Sequence, residues 1–97
     1  MVKRESPITI GTTVTPICAI NPNRTSLIIL NNDPLLTLYV GTDSMLSVLT
    51  GLPISPGQSL ILNVGLGDEP NLGFFGISPS ATIDCRTFEE YAPQKVS

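Results

Sequence analysis

The sequence predicts an all-β fold: a small antiparallel β-sandwich or jelly roll of six to eight short strands. Three observations predict it. The longest unbroken apolar runs are only four residues, and the apolar residues recur at strand spacing. Gly, Pro and Asn clusters punctuate the chain about every ten residues. No helix of ordinary length is needed to account for the pattern.

Each element follows in order. Residues 6–14 alternate loosely through Ile8, Ile10, Thr12 and Val14. Pro16 interrupts the run, which makes it an edge strand or two short strands. Residues 17–20 are a brief second run. Asn21-Pro22-Asn23 is a turn, since Pro22 sets φ and Asn tolerates left-handed backbone. Residues 25–31 read as the strongest strand. Its Leu27, Ile28, Ile29 and Leu30 are apolar on both faces, so it is expected to be central and covered on both sides. After the turn cluster Asn31-Asn32-Asp33-Pro34, residues 36–40 form a strand stopped by Gly41. The short connection predicts an antiparallel hairpin between these two strands.

Residues 42–50 read two ways. Asp43-Ser44 begins a helical turn with Met45, Leu46 and Leu49 at helical spacing, or the segment is a loop with a strand-like piece at 47–50. Residues 52–57 are a rigid connection in which Pro56-Gly57 fits the centre of a type II turn. Residues 58–64 make another strand, and residues 65–73 the longest loop. Residues 74–78 form a short strand broken by Pro79-Ser80. Residues 81–88 close the body, with Ala81, Ile83 and Cys85 on one face and Thr82, Asp84 and Arg86 on the other. The expected organisation is one domain, residues 1–97, with terminal arms at 1–7 and 89–97.

Charge is scarce in the body. Charged residues are 13% of the chain, against about 25% in an average protein. Between Ser6 and Ile83 only Arg24, Asp33, Asp43, Asp68 and Glu69 are charged. A neutral surface of this kind is poorly protected against association. It suits an assembly subunit that buries part of that surface, or a neutral domain with a Thr- and Ser-rich face. The net charge is −3 and Lys3-Arg4 is the one basic pair, so nucleic acid is not expected as a direct ligand. The apolar runs are too short for a helical membrane span, and no apolar stretch follows Lys3-Arg4 as a leader would require. No membrane partner is expected.

Catalytic chemistry has little to work with. The chain has no histidine, the commonest general base and metal ligand. Its two cysteines, Cys18 and Cys85, fall short of the four ligands of a closed zinc site. They read as buried structural thiols, with a bridge between them as the alternative. Gly65-Leu66-Gly67 lacks the third glycine and the Lys-Ser or Lys-Thr of a phosphate loop. Asp68-Glu69 with Asn71 offers oxygen ligands for calcium but reads first as a solvated loop tip. Asn23-Arg24-Thr25 matches a glycan-acceptor pattern without the secretory signal it would need. No cofactor and no metal are expected, and no enzymatic activity. Arg24, the lone basic residue of the long middle, is expected to pair with a carboxylate or cap backbone carbonyls across the sandwich.

The order of the pieces resembles small structural proteins of tailed bacteriophages and related viruses. The cues are Asn23-Arg24-Thr25-Ser26-Leu27-Ile28-Ile29-Leu30-Asn31, then Leu38-Tyr39-Val40-Gly41, then Gly51-Leu52-Pro53-Ile54 with Pro56-Gly57, and finally Phe75-Gly76-Ile77-Ser78 before Glu89-Glu90. The resemblance implies a β-sandwich virion component, a capsid decoration (cement) protein or a minor head, collar or tail protein, synthesised in the host cytoplasm. It implies no catalytic residues. The implied partners are further copies of the chain, a trimer as the first expectation, and the major capsid or another virion protein. The arms, with Val2, Lys3, Arg4 and Glu5 at one end and Glu89, Glu90 and Tyr91 at the other, are the expected interface. A carbohydrate-binding or host-recognition module is the alternative. It would use an exposed Phe74 or Phe75 beside Asp68, Glu69 or Asn71.

Overall fold

The computed structural model describes residues 2–63 and 69–91, with backbone alone for residues 2–6. The expected Gly65–Gly67 loop, the Asp68 carboxylate and residues 92–97 lie outside the described residues. The described residues form eight strands: β1 (Val2–Ile10), β2 (Thr15–Cys18), β3 (Arg24–Asn31), β4 (Leu38–Gly41), β5 (Leu52–Ile54), β6 (Ser59–Asn63), β7 (Phe74–Ile77) and β8 (Ile83–Tyr91). They form two four-stranded antiparallel sheets with orders β1-β8-β3-β6 and β2-β7-β4-β5. Strands drawn alternately from both halves of the chain make this the double Greek key of a jelly roll. The predicted fold class is therefore met, and the strand order selects the jelly roll.

Inward-facing side chains of both sheets build one core. Leu27 and Ile29 of β3, Ile10 of β1 and Ile83 of β8 meet Leu38 and Val40 of β4 and Phe74 of β7, all buried. Each such side chain contributes roughly 1.5–3 kcal/mol by leaving water. Gly76 sits where the sheets close on each other: a Cβ there would lie 3.0 Å from Ile17 Cδ1 and 3.2 Å from Leu38 Cδ1. The Pro56-Gly57 turn is as predicted, with φ of +76° at Gly57 and Gln58 N–H donating to the Ser55 carbonyl at 3.0 Å.

Four expectations change. First, β3 and β4 are not a hairpin. They lie in different sheets, because the turn after Asn31 crosses the sandwich instead of folding the chain back. Second, residues 42–51 form neither helix nor strand. They are a run of turns pinned by Leu46, which is buried against Gly41 and Gly51. Third, residues 2–7 and 89–91 of the expected arms are paired strand. Val2 pairs with Tyr91, Lys3 with Glu90, Arg4 with Glu89 and Glu5 with Phe88, so β1 and β8 form a continuous ladder. Charge made these segments look like tails; their backbone groups are taken up by each other. Fourth, β3 is central, between β8 and β6, but among the described residues a second sheet covers only its inner face. The inner face is buried, whereas Ile28 and Leu30 on the outer face are half-buried with no described strand over them.

Candidate functional site

Strand β3 holds a polar anchor at each end. At its start the alternation would put Arg24 on the outer face with Ser26 and Ile28. A bulge prevents this. Arg24 stands opposite Tyr91 and Ser26 opposite Glu90, so Thr25 is an extra residue and Arg24 is turned into the sandwich. Thr25 Oγ1 donates to the Glu90 carbonyl at 3.3 Å and fixes the bulge.

The Arg24 side chain is 3% exposed. Its Nη1 donates to the carbonyls of Pro70 at 3.0 Å and Leu72 at 3.1 Å, and its Nη2 to the carbonyl of Ala19 at 2.9 Å. One guanidinium thereby ties the β2–β3 loop to the β6–β7 loop, which also share the Asn21 N–H to Asn71 carbonyl bond at 2.9 Å. Nη2 lies 2.7 Å from Glu89 Oε1, a close ion pair that lacks hydrogen-bond alignment. Glu89 Oε2 accepts from Tyr91 O–H at 2.8 Å. Arg24 Nε has no partner. These groups line a polar pocket of about 300 Å³ together with Ile17, Cys18, Asn21 and Thr87.

Beside it runs an apolar groove of about 560 Å³, lined by Pro16, Ile17, Ala19, Ile20, Leu72 and Phe75 among others. The same end of the sandwich carries several exposed apolar side chains, while Leu35, 84% exposed, stands at the opposite end in the β3–β4 connection. Leu49 is 92% exposed, Met45 83% and Ile20 73%. Phe74 is buried in the core, and Phe75 is half-buried in the groove. Glu69, Asn71 and Asn23 are exposed loop residues.

Asn31 closes the other end of β3 and is fully buried. Its Nδ2 donates to the carbonyls of Leu36 at 2.8 Å and Ile54 at 2.9 Å, and its Oδ1 accepts from Asp33 N–H at 3.0 Å. Its backbone meets Gln58 and Gly57. One residue therefore holds the β3–β4 crossing and β5 through its side-chain amide and the β5–β6 turn through its backbone.

The structure thus gathers Arg24, Cys18, Glu89 and Tyr91 around one pocket, and the side chains of Val2, Lys3, Arg4 and Glu5 lie outside the described residues. Glu90 faces outward, and Cys85 lies in the core opposite Asn31. Both cysteines are free thiols. Burial pushes the Cys85 thiol up to about 12, with Asp84 and Cys18 adding to it. Burial also raises Cys18, against the opposing pull of Arg24 and a hydrogen bond from the Phe74 backbone. Neither thiol is poised as a nucleophile near neutral pH. Among the described residues, no group of three or more His, Cys, Asp or Glu side chains could hold a metal, and no helix is long and apolar enough to cross a membrane.

Sequence reasoning missed the inward Glu89, the Thr25 bulge and the Asn31 anchor. A signal existed for the first. A buried lone Arg needs a carboxylate, and the alternation through Ile83 and Cys85 carries on to Thr87 and Glu89. Comparison with protein-family models, with curated proteins and with solved structures found no match for this chain.

Proposed function

We propose that this protein is a non-enzymatic structural subunit of a virion, a decoration or minor head, collar or tail component that stabilises a particle by packing. The observation that carries the reading is the loop end that holds Leu49, Met45 and Ile20, 73–92% exposed, with Ile20 bordering an apolar groove. Exposed apolar side chains gathered at one end of a small domain suit a surface that another protein covers. Jelly rolls are a recurrent capsid architecture, though they also serve lectins and cupins. The near-uncharged body and the sequence resemblance favour the capsid use. Leu46 anchors the 42–51 loop beneath, so its exposed apolar side chains are presented on a fixed base. Many copies would make a small contact per subunit sufficient.

The carbohydrate reading gains little: the groove around Phe75 offers a sugar Thr42 as its main side-chain hydroxyl. The deciding experiment is the composition of purified particles. The protein should co-purify with virions, and Leu49→Asp should remove it from them while leaving its thermal melting unchanged. Wild-type protein found in infected-cell extract but never in particles overturns the proposal.

A further inference from the structure

The edge strands of the two sheets are β1, β6, β2 and β5. An edge presents a row of backbone N–H and C=O groups, and proteins guard it with proline, charge, a bulge or a short strand. β1 carries Pro7 together with Lys3, Arg4 and Glu5. β2 carries Pro16 and a register shift between Pro16 and Cys18. β5 carries Pro53 and is three residues long. β6 is Ser59-Leu60-Ile61-Leu62-Asn63, with no proline, no charge and an unbroken register against β3. Among the described residues no strand lies along its other side.

The ladder fixes which backbone groups look outward. Asn31 N–H donates to the Gln58 carbonyl at 3.0 Å, and the register then pairs Ile29 with Leu60 and Leu27 with Leu62. Hydrogen bonding alternates along an antiparallel pair, so Leu60 and Leu62 turn their backbone groups to β3 while Ser59 and Ile61 turn theirs away. The bonds of β3 to its other neighbour have the complementary phase: Asn32 N–H donates to the Asp84 carbonyl at 2.9 Å, in line with the Leu30–Arg86 and Ile28–Phe88 pairs. Ile61 is the middle of β6, and its side chain is 57% exposed.

We propose that β6 pairs antiparallel with β6 of a second copy about a two-fold axis at Ile61, joining two four-stranded sheets into one. The strand is its own complement. Read outward from Ile61 in either direction it gives Leu and then a polar residue, so the pairing sets Ile61 against Ile61, Leu60 against Leu62 and Ser59 against Asn63. An axis at Leu60 or Leu62 would instead set Ile61 against Ser59 or Asn63, apolar against polar. The two Ile61 residues exchange both N–H to C=O bonds and cover each other's side chains. The contact is isologous, as a two-fold contact must be, and its main-chain bonds are those of strand addition at any open edge. It is one strand wide, so it is weak in dilute solution and persists where an assembly holds copies close. This goes beyond the proposed virion role, and its test needs no particle.

Sedimentation of the purified chain at up to about 1 mM should show a monomer–dimer equilibrium. Ile61→Pro removes an N–H that faces away from β3, so the β3–β6 ladder keeps its bonds; dimerisation should weaken about tenfold or more. Ile61→Lys sets two ammonium groups against each other on the axis and should do the same. Circular dichroism checks that each variant is folded, and the lysine variant decides if the proline variant is not. With oxidised glutathione, Ile61→Cys should give a dimer bridged between the two introduced thiols, because the axis holds their Cα atoms about 5.5 Å apart. Ser59→Cys should not bridge to itself, its two copies standing about 14 Å apart along the strands. A chain monomeric throughout, a trimer as the smallest assembly, a dimer that the Ile61 variants leave unchanged, or equal bridging from positions 59 and 61 would each overturn the proposal. Absence from virions, with the Ile61 pattern intact, would remove the virion role and leave this pairing standing.

Discussion

The two ends of β3 solve the same problem with different chemistry. Arg24 and Asn31 both sit inside the sandwich mouth and both tie loops from opposite sheets. Asn31 does it with a neutral amide, and both its donors and its carbonyl oxygen are bonded. Arg24 does it with a charge, needs Glu89 to balance it, and still leaves Nε and an unaligned Glu89 Oε1 beside a polar pocket. A neutral anchor can be saturated by backbone alone. A charged one brings a counter-ion into the core and holds more loop, three carbonyls against two. The apolar groove lies at the charged end, where two long loops need holding, with the exposed Leu49, Met45 and Ile20; the neutral end exposes Leu35.

Breaking the charged anchor should have the largest effect. Arg24→Met strands Glu89 in the interior without its cation and should cost about 3–5 kcal/mol, read by urea or thermal unfolding. Adding Glu89→Leu separates charge from clamp. A buried pair replaced by apolar side chains is often neutral, but the carbonyls of Ala19, Pro70 and Leu72 would still lack their donor. The double variant should recover only part of the loss. Full recovery would mean that the loop clamp contributes nothing.

Asn31→Ala should cost less, about 2–4 kcal/mol. It introduces no stranded charge, but it leaves the Leu36 and Ile54 carbonyls unbonded and a small void. A loss equal to that of Arg24→Met would erase the distinction between the two ends. Near the charged end, Gly51→Ala should cost about 1–3 kcal/mol, because its Cβ would stand 2.8 Å from Tyr39 Cβ and 2.9 Å from Leu46 Cδ1.

How much of this the sequence carried depends on the range of the interaction. Strands, their approximate limits and the Gly57 turn were legible because alternation and turn chemistry act over a few residues. The β3–β4 hairpin was misread for the same reason. A short connection says that two strands are near, and only the Asn31 amide, bonding forward to Leu36 and Ile54, shows that the chain crosses to the other sheet. Arg24 stood out as a lone charge, but its inward aim depends on one extra residue, Thr25, which looks like ordinary strand in sequence. Glu89 looks like tail in sequence because a carboxylate reads as surface until its cation is located.

The smallest effects are the sharpest probe, because each end has its own thiol. Cys18 lines the Arg24 pocket, and Cys85 stands directly across from Asn31. Alkylation proceeds through the thiolate. With a value of about 12, Cys85 holds roughly one thiolate in ten thousand at pH 8, so the half-buried Cys18 should react first. Arg24→Met loosens the loops beside Cys18 but removes the cation that favours its thiolate, so it should speed Cys18 only modestly and leave Cys85 slow; Asn31→Ala should speed Cys85 and leave Cys18 unchanged. Mass spectrometry of partly labelled, digested protein reads both sites at once, and equal acceleration at both would mean that the ends open together. The same shift fixes a pH response. A raised thiol contributes stability that is intact below its ordinary value near 9 and is lost as pH rises from there through about 12, since the unfolded chain releases the proton first. The melting temperature should therefore fall with pH above 9. In Cys85→Ala, less stable overall, that alkaline slope should be shallower; an unchanged slope would place the titration elsewhere.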